Sequence, residues 1–482
     1  MLAIDFGSLL TLGNPDSIQK IVAVYTDARG NFYVAGTFEG TVDFDPGPAA
    51  RRIHDNGDQD VFIAKYNASG ALRWVKRIGG EENNEISDMA VDGRGNVYIT
   101  GPLGGTVDLN PGSGRKVVES LGEDDVYVAK LSASGKFAWG GSVGGRFNDE
   151  PIGIDVTPDG QVYMGGHFLL KADLDPTART RMVRANSTGA SSGLQLTSRT
   201  GRVRGLRTID GEADESWYVR LSAMAVSDDG QVALGGRFGG RIDFDPTAAR
   251  AVRYGEDEQA YLLTLGATGR LNWIDTYGAG GRIRIDDLGF DPAGSILTAG
   301  QFTDEPDFNP SPAVDRVQSL SDGRGDEEGD LFVQKFSSSG QSTWVRMIGD
   351  RDAAFQVGGL AVNASGEVYV TGGFIGRADF DPSAGTKIIY NRSNEEADLP
   401  IRALDGANAF VLSFSSAGVF GGVRRIGNDD SQVIGTDIAI APGGDIFVGG
   451  LFAGTVDFDP SAGRTARTAE DDGEVFVVKF RP

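Results

Sequence analysis

The sequence predicts an all-β fold, a seven-bladed β-propeller with four antiparallel strands per blade, on three observations. The tetrapeptide Asp-[Phe/Leu]-[Asp/Asn]-Pro recurs seven times, each copy lies among short strand-like runs in the same order, and the chain ends one strand short of a full repeat while its N-terminus supplies one strand too many. The motif begins at Asp43, Asp108, Asp173, Asp243, Asp307, Asp379 and Asp457, at spacings of 65, 65, 70, 64, 72 and 78 residues. Several strands repeating at a period well above forty residues point to propeller blades.

Residues 86–145 show one repeat most clearly. Strand a is Ile86 to Val91, followed by the turn Asp92-Gly-Arg-Gly-Asn96. Strand b is Val97-Tyr-Ile-Thr-Gly101, leading into Gly105-Thr-Val-Asp-Leu-Asn-Pro111. A charged connection reaches strand c, Asp125-Val-Tyr-Val-Ala-Lys-Leu131, and a Ser-Ala-Ser-Gly turn leads to strand d around Lys136-Phe-Ala-Trp139. Every run is four to eight residues long, rich in Val, Ile, Tyr and Phe, and bounded by Gly, Asp, Asn or Ser, which are strand and hairpin signals without helical periodicity. On this register blades begin near residues 21, 86, 152, 221, 285, 357 and 435, within a single domain 1–482. The last repeat stops at strand c, Glu474 to Phe480, whereas Ile4 to Asn14 resembles the strand d that precedes the second repeat. Residues 1–20 are therefore expected to form the outer strand of the last blade, which removes a sheet edge.

Glycine makes up 71 of 482 residues. Gly70, Gly135, Gly201, Gly269, Gly340 and Gly418 align at the c–d turn, where a positive φ is expected. Trp74, Trp139, Trp273 and Trp344 follow four residues later and are expected to pack between blades. Trp217 lies outside the pattern and is a candidate exposed contact.

The second repeat, with Gly79-Gly80, Ala90-Val-Asp92, Gly95-Asn-Val-Tyr98, Thr100-Gly101 and Val126-Tyr-Val-Ala-Lys-Leu131, resembles the bacterial β-propeller repeat called SBBP. The likeness extends along essentially the whole chain. The third repeat departs most, with Gly193-Leu-Gln-Leu-Thr-Ser-Arg-Thr-Gly201 lacking Ala-Lys and a strand d without Trp. The resemblance implies a propeller and export to the exterior or surface of a bacterium; it implies no chemistry.

Composition excludes several functions. A net charge of −23 disfavours nucleic-acid binding. No cysteine is present, and two histidines, His54 and His167, cannot build a multi-histidine metal site. No apolar run is long enough to span a membrane, and Met1-Leu-Ala-Ile-Asp5 is not a signal peptide, so export would require a mature form or an excised domain, or a segment of a larger parent chain.

Three groups of residues are candidate sites. The motif acids Asp43, Asp45, Asp108, Asp173, Asp175, Asp243, Asp245, Asp307, Asp379, Asp381, Asp457 and Asp459 either cap the turn that proline starts or, as oxygen ligands, hold Ca²⁺; no other cofactor is expected and none is required. Asn110 and Asn309 stand at two of the second positions. In strand a, Asp88, Asp155, Asp287 and Asp437 are expected to face a central channel, holding water or a cation. The long b–c connections carry Asp322, Arg324 and Asp326, and Glu395, Glu396 and Arg402; with Trp217 these are the candidate binding residues, since variable loops on a rigid frame are where binding usually resides.

No Ser-His-Asp set, phosphate loop or catalytic residue is identifiable. The expected function is a non-enzymatic extracellular or cell-surface binding scaffold for a protein or glycan. The alternative is a polysaccharide-active lyase or hydrolase working through a pair of carboxylates on one face.

Overall fold

The computed structural model describes residues 5–481 apart from 14–16, 178, 185–189, 198–199, 212–217, 248, 310–315, 321–328, 352, 384, 392–405, 429–430 and 460–462. All its regular structure is strand. The inner strands are apolar on both faces because neighbouring sheets cover them. All seven residues of the strand c segment Asp125–Leu131 are buried, and strand b segment Phe32–Glu39 is buried to its penultimate residue. Strand d is only partly covered: in Leu72–Ile78, Val75 and Ile78 are buried, Arg73 is exposed and the rest are half-buried. That difference explains why strands b and c read as continuous apolar runs and strand d does not.

The chain forms two compact units, one of Met1–Thr26 with Tyr277–Pro482, the other of Asp27–Thr276. In the first, the N-terminal strand Asp5–Leu12 pairs antiparallel with the C-terminal strand Ala466–Arg481, with Leu9 opposite Val478 and Leu12 opposite Val475. The N-terminus thus supplies the fourth strand of the last sheet.

The expected number of blades is corrected. Among the described residues six sheets of four or more strands are present, not seven. In the Asp27–Thr276 unit the third and fourth repeats share one eight-stranded sheet. The cause is local: strand d of the third repeat, Val203–Gly211, runs on until Asp210 and Gly211 pair with Asp243 and Ile242 of the next strand b. The seven sequence repeats are therefore distributed over six blade sheets.

Two devices recur within the sheets. Strand a carries a bulge, at a register shift between Ile285 and Asp287, between Val357 and Gly359, and between Gly435 and Asp437. The facing strand b residue is glycine because the bulge brings a carbonyl against it. A Cβ on Gly450 would lie 2.1 Å from the Ile434 carbonyl oxygen and 2.7 Å from the Phe476 ring. The second device is the motif phenylalanine. Phe380 is fully buried against Phe355, Phe374 and Phe410, and Phe44 against Phe38 and Phe62.

Candidate functional site

In six of the seven repeats the tetrapeptide ends one arm of a short hairpin that opens the b–c connection, and in the fifth, among the described residues, Asp307 makes a single bridge to Arg316. Thr41–Asp43 pairs with Arg52–His54, Thr106–Asp108 with Val117–Glu119, and Lys171–Asp173 with Met182–Arg184. One carboxylate oxygen of the first motif residue closes the turn. Asp43 Oδ1 accepts the N–H of Asp45 at 3.2 Å and of Arg51 at 2.7 Å. Asp243 accepts from Asp245 and Ala251, and Asp379 from Asp381 and Lys387. The second motif residue caps the next step, Asp45 taking the N–H of Gly47 and Asn110 that of Gly112. Backbone donors thus engage one oxygen of each of these first motif carboxylates. Among the described residues no group of three or more acidic or histidine side chains is placed to hold a metal.

The strand a acids join consecutive repeats. Asp287 Oδ1 accepts the N–H of Leu288 and Oδ2 that of Leu360, one repeat later. Asp88 reaches Ile154, Asp155 reaches Val226, and Asp437 reaches Val24, at 2.6 to 2.8 Å. Burial pushes Asp287 up to about 7 and Asp155 to about 6, although two backbone donors pull each the other way.

A pocket that the sequence reading did not identify lies in the Asp27–Thr276 unit, where strand b of the third repeat brings His167 beside Asp149 and Glu150. Gly145 donates its N–H to Asp149 Oδ2 at 2.6 Å and to Asp125 Oδ1 at 3.0 Å. Burial raises both carboxyls, and the contact with Asp125 adds to the rise of Asp149, which reaches about 7 although the N–H groups of Gly145 and Leu169 pull it down. His167 Nε2 accepts the Leu221 N–H at 2.8 Å, which leaves the Nδ1 proton to be donated to Glu150 at 3.3 Å. The hydrogen bond from His167 holds Glu150 below its ordinary value. Val126, Met164, Phe168 and Leu174 complete the lining of this cavity of about 30 Å³, room for water and not for a sugar ring. A signal existed in the rarity of histidine, but nothing in the local sequence joins residues 125, 149 and 167.

Exposed apolar side chains concentrate elsewhere. Of eight large hydrophobic residues exposed among the described residues, six lie on b–c connections: Val117, Leu121, Met182, Tyr254, Leu320 and Tyr390. Tyr390 lies near the guanidinium of Arg377, 6.0 Å from the ring centre. Trp217, Asp322, Arg324, Asp326, Glu395, Glu396 and Arg402 lie outside the described residues.

The β-propeller repeat family SBBP matches residues 73–101. Regulatory protein FlaEY of Caulobacter vibrioides is 24% identical over 498 residues, spanning 97% of this chain and 46% of that protein. An uncharacterized WD repeat-containing protein of Acanthamoeba polyphaga mimivirus is 24% identical over 174 residues, 30% of this chain and 12% of that protein. The chain therefore spans less than half the length of either relative. A solved structure of unknown function from Dyadobacter fermentans aligns over 100% of both chains at 10% identity, with a TM-score of 0.39. Among the described residues no helix is long and apolar enough to cross a membrane.

Proposed function

We propose that this chain, a β-propeller protein carrying the SBBP repeat, is a non-enzymatic binding scaffold that meets a protein or glycan through its b–c connections, outside the cell or at its surface. The observation that carries this reading is the placement of exposed apolar side chains, six of eight on those connections. These connections differ in length and sequence from repeat to repeat, and the apolar side chains they carry would be stabilised by burial against a partner. The recurrent acids, by contrast, are engaged in turns and in contacts between repeats, so they serve the frame. The pocket beside Asp149 and His167 is too small for a polysaccharide subsite, so it lends no support to the lyase or hydrolase alternative. The location rests on the export that the repeat resemblance implies.

The test compares the wild type with a Leu121→Ser, Tyr254→Ala, Tyr390→Ala variant on a glycan array and in cross-linking to cell-surface protein. A partner bound by the wild type and lost by the variant, with thermal melting unchanged, supports the reading. Release of reducing ends or unsaturated sugars from a polysaccharide panel would overturn it.

A further inference from the structure

Residues 176–208 contain seven arginines and no aspartate or glutamate, in a chain whose net charge is −23. The segment belongs to the third repeat and includes the return arm of its motif hairpin, Met182–Arg184. On the other hairpins of the same unit the basic residue folds back onto the motif aspartate: Arg52 onto Asp43 at 3.9 Å, Arg115 onto Asp108 at 3.7 Å, Arg250 onto Asp243 at 3.4 Å. The third hairpin lacks that arrangement. Seven residues after Asp173 stands Thr180, and nine after it Met182. Arg179, Arg181 and Arg184 are exposed and make no ion pair with any described residue.

The hairpin also places like charges face to face. Lys171 is directly opposite Arg184 in the ladder. Such a pair destabilises an isolated hairpin, and an anion laid across it removes the penalty. Met182 is exposed between these cations. The arm Met182–Arg184 is the terminal strand of its six-stranded sheet, with a described ladder partner on one side only.

We infer that this arm is a docking edge for an acidic polypeptide segment, which adds as an extended strand beside Met182–Arg184 and sets its carboxylates against Lys171, Arg181 and Arg184. A free strand edge offers backbone groups that match another polypeptide backbone and not a sugar chain, and exposed Met and Arg are typical of protein contacts. The inference rests on the scaffold reading and names the chemistry of one partner.

The test is a fluorescence-anisotropy titration of the intact chain with a labelled octapeptide alternating Glu and Val. Its companions are the same peptide N-methylated at alternate amides, a Lys–Val octapeptide, and dextran sulfate. Binding of the Glu–Val peptide is expected, weakening with salt and falling about tenfold or more in R181E/R184E. The variant R464E, on the corresponding hairpin of the last repeat, is expected to bind as the wild type does, and the N-methylated and Lys–Val peptides to bind poorly. The inference is overturned by no binding, by indifference to R181E/R184E, by equal binding of the N-methylated peptide, or by dextran sulfate alone showing the arginine dependence. If it falls while a partner still depends on Leu121 and Tyr254, the scaffold reading stands without it.

Discussion

The indole of Trp344 lies against Gly418 of the following repeat so closely that a Cβ on Gly418 would stand 2.7 Å from the ring. Trp344 Nε1 donates to the Ser416 carbonyl at 3.3 Å in the same turn. The relation repeats: Trp74 covers Gly135 and Trp139 covers Gly201. Each of these three tryptophans therefore reads the c–d turn of its neighbour, and Gly418 serves twice, through its φ of +74° and through its missing side chain.

Gly418→Ala is accordingly expected to destabilise by about 2–4 kcal/mol, from left-handed backbone strain together with overpacking against the indole. Urea unfolding followed by tryptophan fluorescence checks this. Gly443→Ala, where a Cβ meets nothing within 4 Å, is the control and is expected to change little.

Phe380 forms the centre of an aromatic cluster with Phe355, Phe374 and Phe410 and has no exposed surface. Phe380→Ala is expected to cost about 3–5 kcal/mol through lost burial and a cavity. The midpoint of chemical unfolding measures it, and a loss below about 1 kcal/mol would mean the cluster repacks.

Asp243→Ala removes the acceptor of two backbone N–H groups, those of Asp245 and Ala251 at 3.2 and 2.9 Å. A loss of about 1–3 kcal/mol is expected. Asp243→Asn retains one side-chain oxygen and is expected to recover most of it. Chelator is expected to leave the melting temperature of the wild type unchanged, because backbone donors hold these oxygens; a calcium-dependent rise would contradict that account.

Stability is expected to fall as pH rises from about 4 to 7. Burial lifts Asp149 and Asp287 to about 7 and Asp155 to about 6, each from an ordinary 3.8. A folded-state value above the unfolded one means that the folded chain binds the proton more tightly. That contribution is fully present below the unfolded value and is lost as pH rises through 6 to 7. Asp27 and Asp291 act oppositely: burial opposes their ionisation, but hydrogen bonds and Lys65 or Lys335 override it, so their contribution is lost as acid protonates them. Melting temperature against pH checks both limbs. In Asp149→Asn the alkaline decline is expected to be shallower, since one of the raised carboxyls no longer ionises.

Much of the frame was legible because it depends on local chemistry repeated in register. Strand c of the second repeat, Asp125–Leu131, and its turn glycine Gly135 appear where alternation and turn residues place them. Trp74, Trp139 and Trp344, too, contact the neighbouring repeat as expected. The motif hairpins were less legible: a three-residue strand such as Thr41–Asp43 is too short to show a period, and its pairing depends on Asp43 reaching Arg51 eight residues on. The pocket beside Asp149 and His167 was not legible, because its lining comes from separate strands and connections that no local pattern links.

By itself the sequence determined the all-β class, the seven repeats and the N-terminal strand that completes the last sheet, since strand patterning and turn glycines act over a few residues. Only the tertiary structure decided that seven repeats make six blade sheets, because the pairing of Asp210 with Asp243 joins strands from different repeats. It likewise decided that the strand a acids bond backbone amides of the next repeat, as Asp287 does with Leu360 across 73 positions. Such contacts depend on where a bulged strand points its carboxylate, which no spacing in the chain records.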